Sequence, residues 1–393
     1  MIKNIGLSQT LKINELSNKL TKENKKIYKY GFGQSPFNPP KFFKDDIIAN
    51  INKKEYLPVQ GLSKLRLSIA NHYYNYHKTN INKDNIIIGP GSKELLCILN
   101  LCIENDIYFV SPYWVSYVNQ MKIFNKDFHV TETTFENKWK ITPKQINEHN
   151  NNSFLLLNFP NNPTGLTYSY DELLDIVKIC KNKNITIIAD EIYQYLNFNN
   201  QSTTLLELYP ENTIVSNGLS KWCHSGGYRI GYMIFPDKLN SLKKTLLSVA
   251  SETFSCVNTP LQYGAISIFD NFDKMVCYNK DIIECLKMYN EYFYSEFIKM
   301  NIKVHKADGA FYMFLDFGNY SDKFIKNNIL NDNIMCEKLL NDIGVALLPG
   351  NAFGIYKGFT CRFAFTNFSG VNTEINQNDI NAMNLLNKWL NKL

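Results

Sequence analysis

The sequence predicts an α/β protein: a large domain with a mostly parallel central sheet flanked by helices, and a smaller α+β domain drawn from both termini. Three observations carry this expectation. Between about residues 84 and 236, short β-branched and aromatic runs alternate with amphipathic stretches, the pattern of strands joined by helices. Two further apolar runs, GAFYMFLDF (309–317) and CRFAFTNF (361–368), follow a long helical region from about 260 to 300. The length, 393 residues, exceeds what one hydrophobic core usually organises. The expected division is an N-terminal arm and part of the small domain in 1–45, the large domain in 46–285, and the rest of the small domain in 286–393.

Taken in order, the strand-like runs are NIIIGP, IYFVSP, SFLLLNFP, ITIIAD, TIVSNG and YMIFP. Between them, SKELLCILNLCIEN and SYDELLDIVKICKNKN repeat their apolar residues at helical spacing. The runs end in GPGS, SPYW, NFPNNPTG, ADEIY and SNGLSK, all polar, charged or bearing Gly or Pro. In open α/β sheets ligands bind beyond the carboxyl ends of the strands, so these endings converge on one place. The NEHNNN segment (147–152) reads as a loop.

Composition excludes several classes. Apolar residues make up 45% and charged residues 20%, and the net charge of +6 is spread along the chain. A nucleic-acid binder would show a basic stripe; the short Lys22–Lys26 piece is expected on a solvated helix face. Nine cysteines include no C-x-x-C pair, which favours reduced thiols over a disulfide framework or a zinc site. The N-terminal residues lack a continuous apolar stretch of the secretory kind. No apolar run approaches the ~18 residues of a membrane span. A soluble cytoplasmic protein is expected.

Four segments carry candidate chemistry. Lys221 follows a predicted strand, with Trp222 beside it and Arg229 eight residues on; such a lysine is either a solvent-facing loop residue or a desolvated amine suited to Schiff-base formation. Asp190 ends an otherwise buried strand, where a carboxylate either caps a helix or needs a cation to offset its burial. A protonated heterocycle would serve. In NFPNNPTG, Asn162 is a turn residue whose amide offers both a donor and an acceptor at the sheet edge. In GPGSKELL, a glycine turn opens a helix, either as a simple cap or as an anion site built from free N–H groups. Together these pieces describe a phosphorylated aromatic aldehyde with a basic ring nitrogen.

From GFGQSPFNPP through YLPVQGLSKLR, GPGSKELL, SPYWVSY, NFPNNPTG, ADEIYQYL, LSKWCHSGGYRIGY, GAFYMF and GVALLPGNAFG to CRFAF, the chain resembles the class I/II aminotransferases of fold type I, which depend on pyridoxal 5'-phosphate (PLP). The resemblance implies a transferase that exchanges an amino group between an L-α-amino acid and a 2-oxo acid. It implies Lys221 as the Schiff-base lysine that also shuttles a proton between substrate and cofactor, and Asp190 as the partner of the ring nitrogen. Asn162 and Tyr193 would bond the ring's phenolic oxygen, and Trp114 (Tyr113 as the alternative) would stack on the ring. Gly91, Ser92, Lys93 and Arg229 would hold the phosphate, joined by Tyr56 from a neighbouring subunit in a homodimer with shared sites. Arg362 would grip the substrate α-carboxylate, with Gly33 lining the same pocket. Ser111–Pro112 and Asn162–Pro163 are expected to be cis.

One departure stands out. Many relatives carry Ser or Thr three residues before the lysine, where this chain has Gly218; either Ser216, Ser220 or a water substitutes for that hydroxyl, or cofactor affinity is lower. His224 is either a substrate-facing residue or a loop histidine with a structural hydrogen bond, and Cys223 is expected to be packing. The same constellation also serves PLP-dependent lyases and cyclases, and remotely a non-catalytic regulator built on this fold.

Overall fold

The structure, a computed structural model, describes residues 9–199 and 202–393. Its strands are, in chain order, β1 (Tyr28–Lys29), β2 (Ile86–Gly89), β3 (Ile107–Ser111), β4 (His129–Glu132), β5 (Phe154–Asn158), β6 (Thr186–Asp190), β7 (Thr213–Gly218), β8 (Gly231–Ile234), β9 (Tyr312–Asp316), β10 (Val345–Ala346), β11 (Leu348–Pro349) and β12 (Thr360–Ala364). A seven-stranded sheet runs in the order β2-β8-β7-β6-β5-β3-β4. Within it β8 runs antiparallel to both neighbours, and the other pairings are parallel. The carboxyl ends of β2, β3, β5, β6 and β7 therefore share one edge.

Burial explains the sequence pattern. Every residue of β2, β5, β6, β7 and β8 is buried, because helices cover both faces, and such strands read as continuous apolar runs. The edge strand β4, HVTE, is largely exposed; with no apolar run it gives no signal in the sequence. The expected helical region of 260–300 is two helices, Thr259–Asp270 and Phe272–Lys299, with the break at Asn271. The Lys22–Lys26 piece is exposed, yet it does not lie along a helix face. Its helix, Gln9–Lys22, ends at Lys22, and Asn24 turns the chain at φ 63°.

A second sheet, β11-β12-β9, is antiparallel throughout. A separate parallel pair joins β1 to β10, Tyr28 opposite Val345. That pair carries the N-terminal segment against the C-terminal part of the chain, and Ala364 N–H donates to the Tyr30 carbonyl at 2.8 Å. Among the described residues no helix is long and apolar enough to cross a membrane, and no group of His, Cys, Asp and Glu could hold a metal. All nine cysteines are free thiols.

The β1–β10 junction depends on Gly344, which closes the helix Asp332–Ile343 at φ 72°. A Cβ there would lie 2.2 Å from the Lys26 carbonyl, so both the left-handed backbone and the space require glycine. Gly344→Ala is expected to destabilise the protein by about 1–3 kcal/mol, read as a lowered midpoint in urea; an unchanged midpoint would contradict this account of the junction.

Candidate active site

The strand register brings the candidates together. Asn158 and Asp190 are paired at the ends of β5 and β6, and Asp190 pairs with Ser216 of β7. Asp190 is 3% exposed. Tyr117 donates to its Oδ2 at 2.5 Å, whereas Oδ1 has no hydrogen-bond partner. Burial pushes the carboxyl up to about 6, against the opposing pull of the Tyr117 hydroxyl, the Ile192 N–H and the Lys221 charge. A buried carboxylate oxygen left open is costly, and a cationic N–H donor at that position would satisfy it.

Lys221 lies just beyond β7 and donates from Nζ to the Gly33 carbonyl at 2.7 Å. Its amine sits 5.7 Å from the Tyr193 ring centre and 5.5 Å from that of Phe311. Tyr193 is buried and exchanges a hydrogen bond with Tyr312 at 2.8 Å. Gly33 is required by space: a Cβ there would lie 2.2 Å from the Tyr312 hydroxyl.

Arg362, in the middle of the small antiparallel sheet, is 2% exposed. Its guanidinium donates to Asn162 Oδ1 at 3.0 Å and to the Gly31 carbonyl at 2.8 Å, lies over the rings of Tyr312 and Phe353, and leaves Nε without a partner. Asn162 is held in turn, its N–H donating to Asn158 Oδ1 at 2.7 Å. Among the described residues Arg362 has no acidic partner within 4.0 Å. A buried guanidinium so placed is complementary to a carboxylate brought by a ligand.

The third feature is an anion cradle. Gly91, at φ 94°, precedes the helix Ser92–Cys102, whose first N–H groups have no partner within the helix. A Cβ on Gly91 would meet Arg229 Nη2 at 2.2 Å, and one on Gly231 would meet Ser92 N at 2.3 Å. Lys93 adds a second cation, its Nζ 5.5 Å from the Trp114 ring centre. Trp114 is half-buried and edge-on to Tyr117, whereas Tyr113 is buried, so Trp114 is the aromatic face open to a ligand. Tyr56 is 89% exposed.

The remaining expectations resolve as follows. Ser111–Pro112 is cis, but Asn162–Pro163 is not; the second cis bond is Phe159–Pro160, three residues earlier in the same turn. His224 is a structural residue: Ser35 and Asn279 occupy its two ring nitrogens at 2.7 and 3.0 Å, and burial lowers it to about 4. Cys223 is fully buried, as packing requires. Gly218 has a steric reason, since a Cβ there would sit 2.8 Å from the Ile230 carbonyl and 2.9 Å from Gly231 Cα. Of the two substitutes, Ser216 is fully buried with its hydroxyl unpartnered, and Ser220 faces Arg229 Nη1 at 3.5 Å. Sequence reasoning missed Tyr117, Asn158 and Tyr312, each of which lies inside a motif but acts through a neighbour.

Comparison with known proteins bears on the family and the fold. The family model for aminotransferases of class I and II matches residues 26–374. The chain belongs to that family. Aspartate aminotransferase of Bacillus sp. strain YM-2 is 30% identical over 366 residues, covering 90% of this chain and 91% of that protein. The aspartate aminotransferase of Thermotoga maritima is 27% identical, covering 90% of each. Among solved structures, that Thermotoga enzyme superposes with a TM-score of 0.85 at 24% identity, over 99% of this chain and all of the other. The Thermus thermophilus aspartate aminotransferase with maleate gives 0.87 at 21%, over 99% and 97%; likeness at these identities concerns the fold, which is fold type I. The protein is an aminotransferase, a transferase enzyme rather than a regulator on a borrowed fold.

Two outcomes are expected from the site. Since folded Asp190 holds its proton up to about 6 against an ordinary 3.8, the cofactor-free protein binds more protons than the unfolded chain in that interval. Its stability therefore falls as pH rises from about 4 to about 6, by at most about 3 kcal/mol. Asp190→Asn should flatten this dependence in urea unfolding at several pH values; identical profiles would contradict it. Gly218→Ser, which supplies the hydroxyl common in relatives, should cost about 1–3 kcal/mol through overpacking and bring no gain in cofactor affinity. Tighter binding at undiminished stability would contradict the steric explanation.

Proposed function

We propose that this aminotransferase uses PLP to exchange an amino group between L-aspartate and a 2-oxo acid, working as a cytoplasmic homodimer. The names of its relatives support aspartate as the amino donor. The observation that carries the cofactor assignment is the open Oδ1 of buried Asp190 beside the Lys221 amine and the Gly91–Arg229 cradle. When bound, PLP supplies a carbonyl for the substrate amine and an aromatic ring that draws electrons from the substrate Cα.

Each residue then has a task that follows from its chemistry. Asp190 keeps the proton on the ring nitrogen, because its carboxylate is stable at this depth only opposite a cation. Tyr193 and Asn162 orient the ring through its phenolic oxygen, and Trp114 covers one face. Ser92 N–H, Gly91, Arg229 and Lys93 hold the phosphate, with Tyr56 reaching it from the second subunit; its 89% exposure in the single chain suits that use. Arg362 binds the α-carboxylate bidentately, and Gly33 keeps the approach open. Lys221 would hold the cofactor through its amine in the resting enzyme, and that amine, once displaced by substrate, would be the base placed to take the Cα proton. The domain division at residues 45 and 285 belongs to the same proposal, with Arg362 on the smaller part and Lys221 on the larger.

Transamination and elimination differ in stoichiometry. Purified protein loaded with PLP and given L-aspartate without an oxo acid should release one equivalent of oxo acid per site and then stop. Continued turnover without an acceptor would identify a lyase or cyclase instead. Lys221→Ala should lose the visible absorbance of the loaded enzyme and fall in rate by at least about 10⁴-fold, while Arg362→Lys should raise KM for the amino acid at least about tenfold.

A further inference from the structure

The segment 31–38 meets both ends of the site through its carbonyl oxygens. Gly31 accepts from the Arg362 guanidinium at 2.8 Å, and Gly33 accepts from Lys221 Nζ at 2.7 Å. Between them the Phe32 carbonyl accepts from the Thr366 hydroxyl at 3.0 Å. The segment belongs to no helix or strand, so its place depends on the side chains that tie it down.

Those ties converge on His224, three residues beyond the lysine. Ser35 Oγ lies 2.7 Å from His224 Nδ1. The buried ring of Phe37 meets the imidazole edge-on, 5.3 Å from centre to centre. At the other ring nitrogen, Asn279 Oδ1 lies 3.0 Å from Nε2, and Asn279 Nδ2 donates to the Trp222 carbonyl at 2.9 Å. Asn279 belongs to the helix Phe272–Lys299, where its neighbour Tyr278 donates to the Asn38 carbonyl at 2.7 Å. The segment, the chain after Lys221 and this helix thus form a three-way junction with His224 at its centre.

One backbone group fixes every proton in the junction. A carbonyl oxygen only accepts, so Asn279 turns its amide nitrogen to Trp222 and its Oδ1 to His224. That oxygen also only accepts, so Nε2 of His224 carries a proton. Burial lowers His224 to about 4, so the ring is neutral and Nδ1 presents a lone pair. The Ser35 hydroxyl donates to it. The bonds therefore run in one direction, from Ser35 through His224 and Asn279 to the carbonyl of the residue after Lys221. His224 also stands at φ 55°, a backbone state that is uncommon outside glycine and persists where the surroundings over-determine it.

We propose that His224 is a positioning residue for the reaction: by clasping Ser35 it fixes the segment 31–38 against the chain that carries Lys221, and through Gly31 it sets the place of the Arg362 guanidinium. The proposal rests on the roles given above to Lys221 and Arg362. With the Lys221 amine committed to the cofactor, the Gly31–Arg362 bond is the segment's remaining hold on the site. Loosening the clasp therefore acts on binding of the amino acid more than on the proton step.

Two measurements on the cofactor-loaded protein test this. With ¹⁵N-labelled histidine, NMR at neutral pH should show a neutral ring protonated at Nε2 whose signals vanish in His224→Asn and whose Nδ1 resonance moves in Ser35→Ala. A charged ring, a proton at Nδ1, or an unmoved resonance would overturn the proposal whatever the substrate. The second measurement is the half-reaction with L-aspartate and no oxo acid, in which the concentration dependence of the absorbance change separates apparent binding from the limiting rate. Ser35→Ala removes only a hydroxyl from a half-buried position; it should weaken apparent binding at least about fivefold and change the limiting rate less than about twofold. Ser35→Thr, which keeps the hydroxyl, should match the unaltered protein. Adding Ser35→Ala to His224→Asn should weaken binding no further than His224→Asn alone, since both break one bond. A purely structural bond would lower the urea midpoint and leave binding where it was; that result, or losses that multiply in the double variant, would overturn the proposal. If the unaltered protein does not react with aspartate, the proposed substrate fails, and the clasp stands or falls on the NMR result.

Discussion

The buried carboxylate of Asp190 is the constraint on which the rest of the site depends. Its backbone belongs to the fully buried β6, so the side chain cannot reach water, and Tyr117 satisfies only one of its oxygens. The fold thus holds a destabilising group in place until a cation arrives opposite the second oxygen. That is a division of labour common to enzyme sites: the scaffold tolerates a local cost so that the ligand is bound in one protonation state and one orientation. The same logic governs Arg362, a fully buried guanidinium held by carbonyl oxygens with no carboxylate of its own. One end of the site lacks a positive partner and the other a negative one, and a zwitterionic pair of ligand groups would complete both.

Around these two charges the structure is close-packed, and its glycines mark where the packing is tightest. Gly33, Gly91, Gly218 and Gly231 each stand where a single added carbon would enter occupied space. Gly218 shows how local geometry can override a family preference. The close approach of β7 and β8 leaves no room for a side chain at Gly218, and the proposed phosphate site rests on Gly91, Ser92, Lys93 and Arg229.

Much of this was legible in the sequence, and the physical reason is burial. Strands β2, β3, β5, β6, β7 and β8 announce themselves as apolar runs because helices shield both faces. Lys221, Asp190 and Arg229 stand out in the sequence as ionic groups in apolar or glycine-rich settings, whereas Asn162 reads on its own as a turn residue and Arg362 entered only through the family resemblance. What stayed hidden was whatever acts through a neighbour or lies at an edge. Tyr117 and Tyr312 look like core aromatics, since nothing in their spacing reveals that their hydroxyls meet Asp190 and Tyr193. The strand β4 escaped because an exposed edge needs no apolar run. The cis bond at Phe159–Pro160, in place of Asn162–Pro163, belongs to a turn with two prolines and three asparagines in close succession, where sequence alone gives two equivalent choices.

The claim that Asp190 is completed by a protonated ring nitrogen is tested most directly by ¹⁵N NMR of the protein loaded with PLP labelled at that nitrogen. A shift in the pyridinium range that stays constant from about pH 6 to pH 9, and moves to the unprotonated range in Asp190→Asn, is the predicted result. An unprotonated ring nitrogen in the unaltered protein at neutral pH would contradict the account, because the buried carboxylate would then still lack the cation that justifies it.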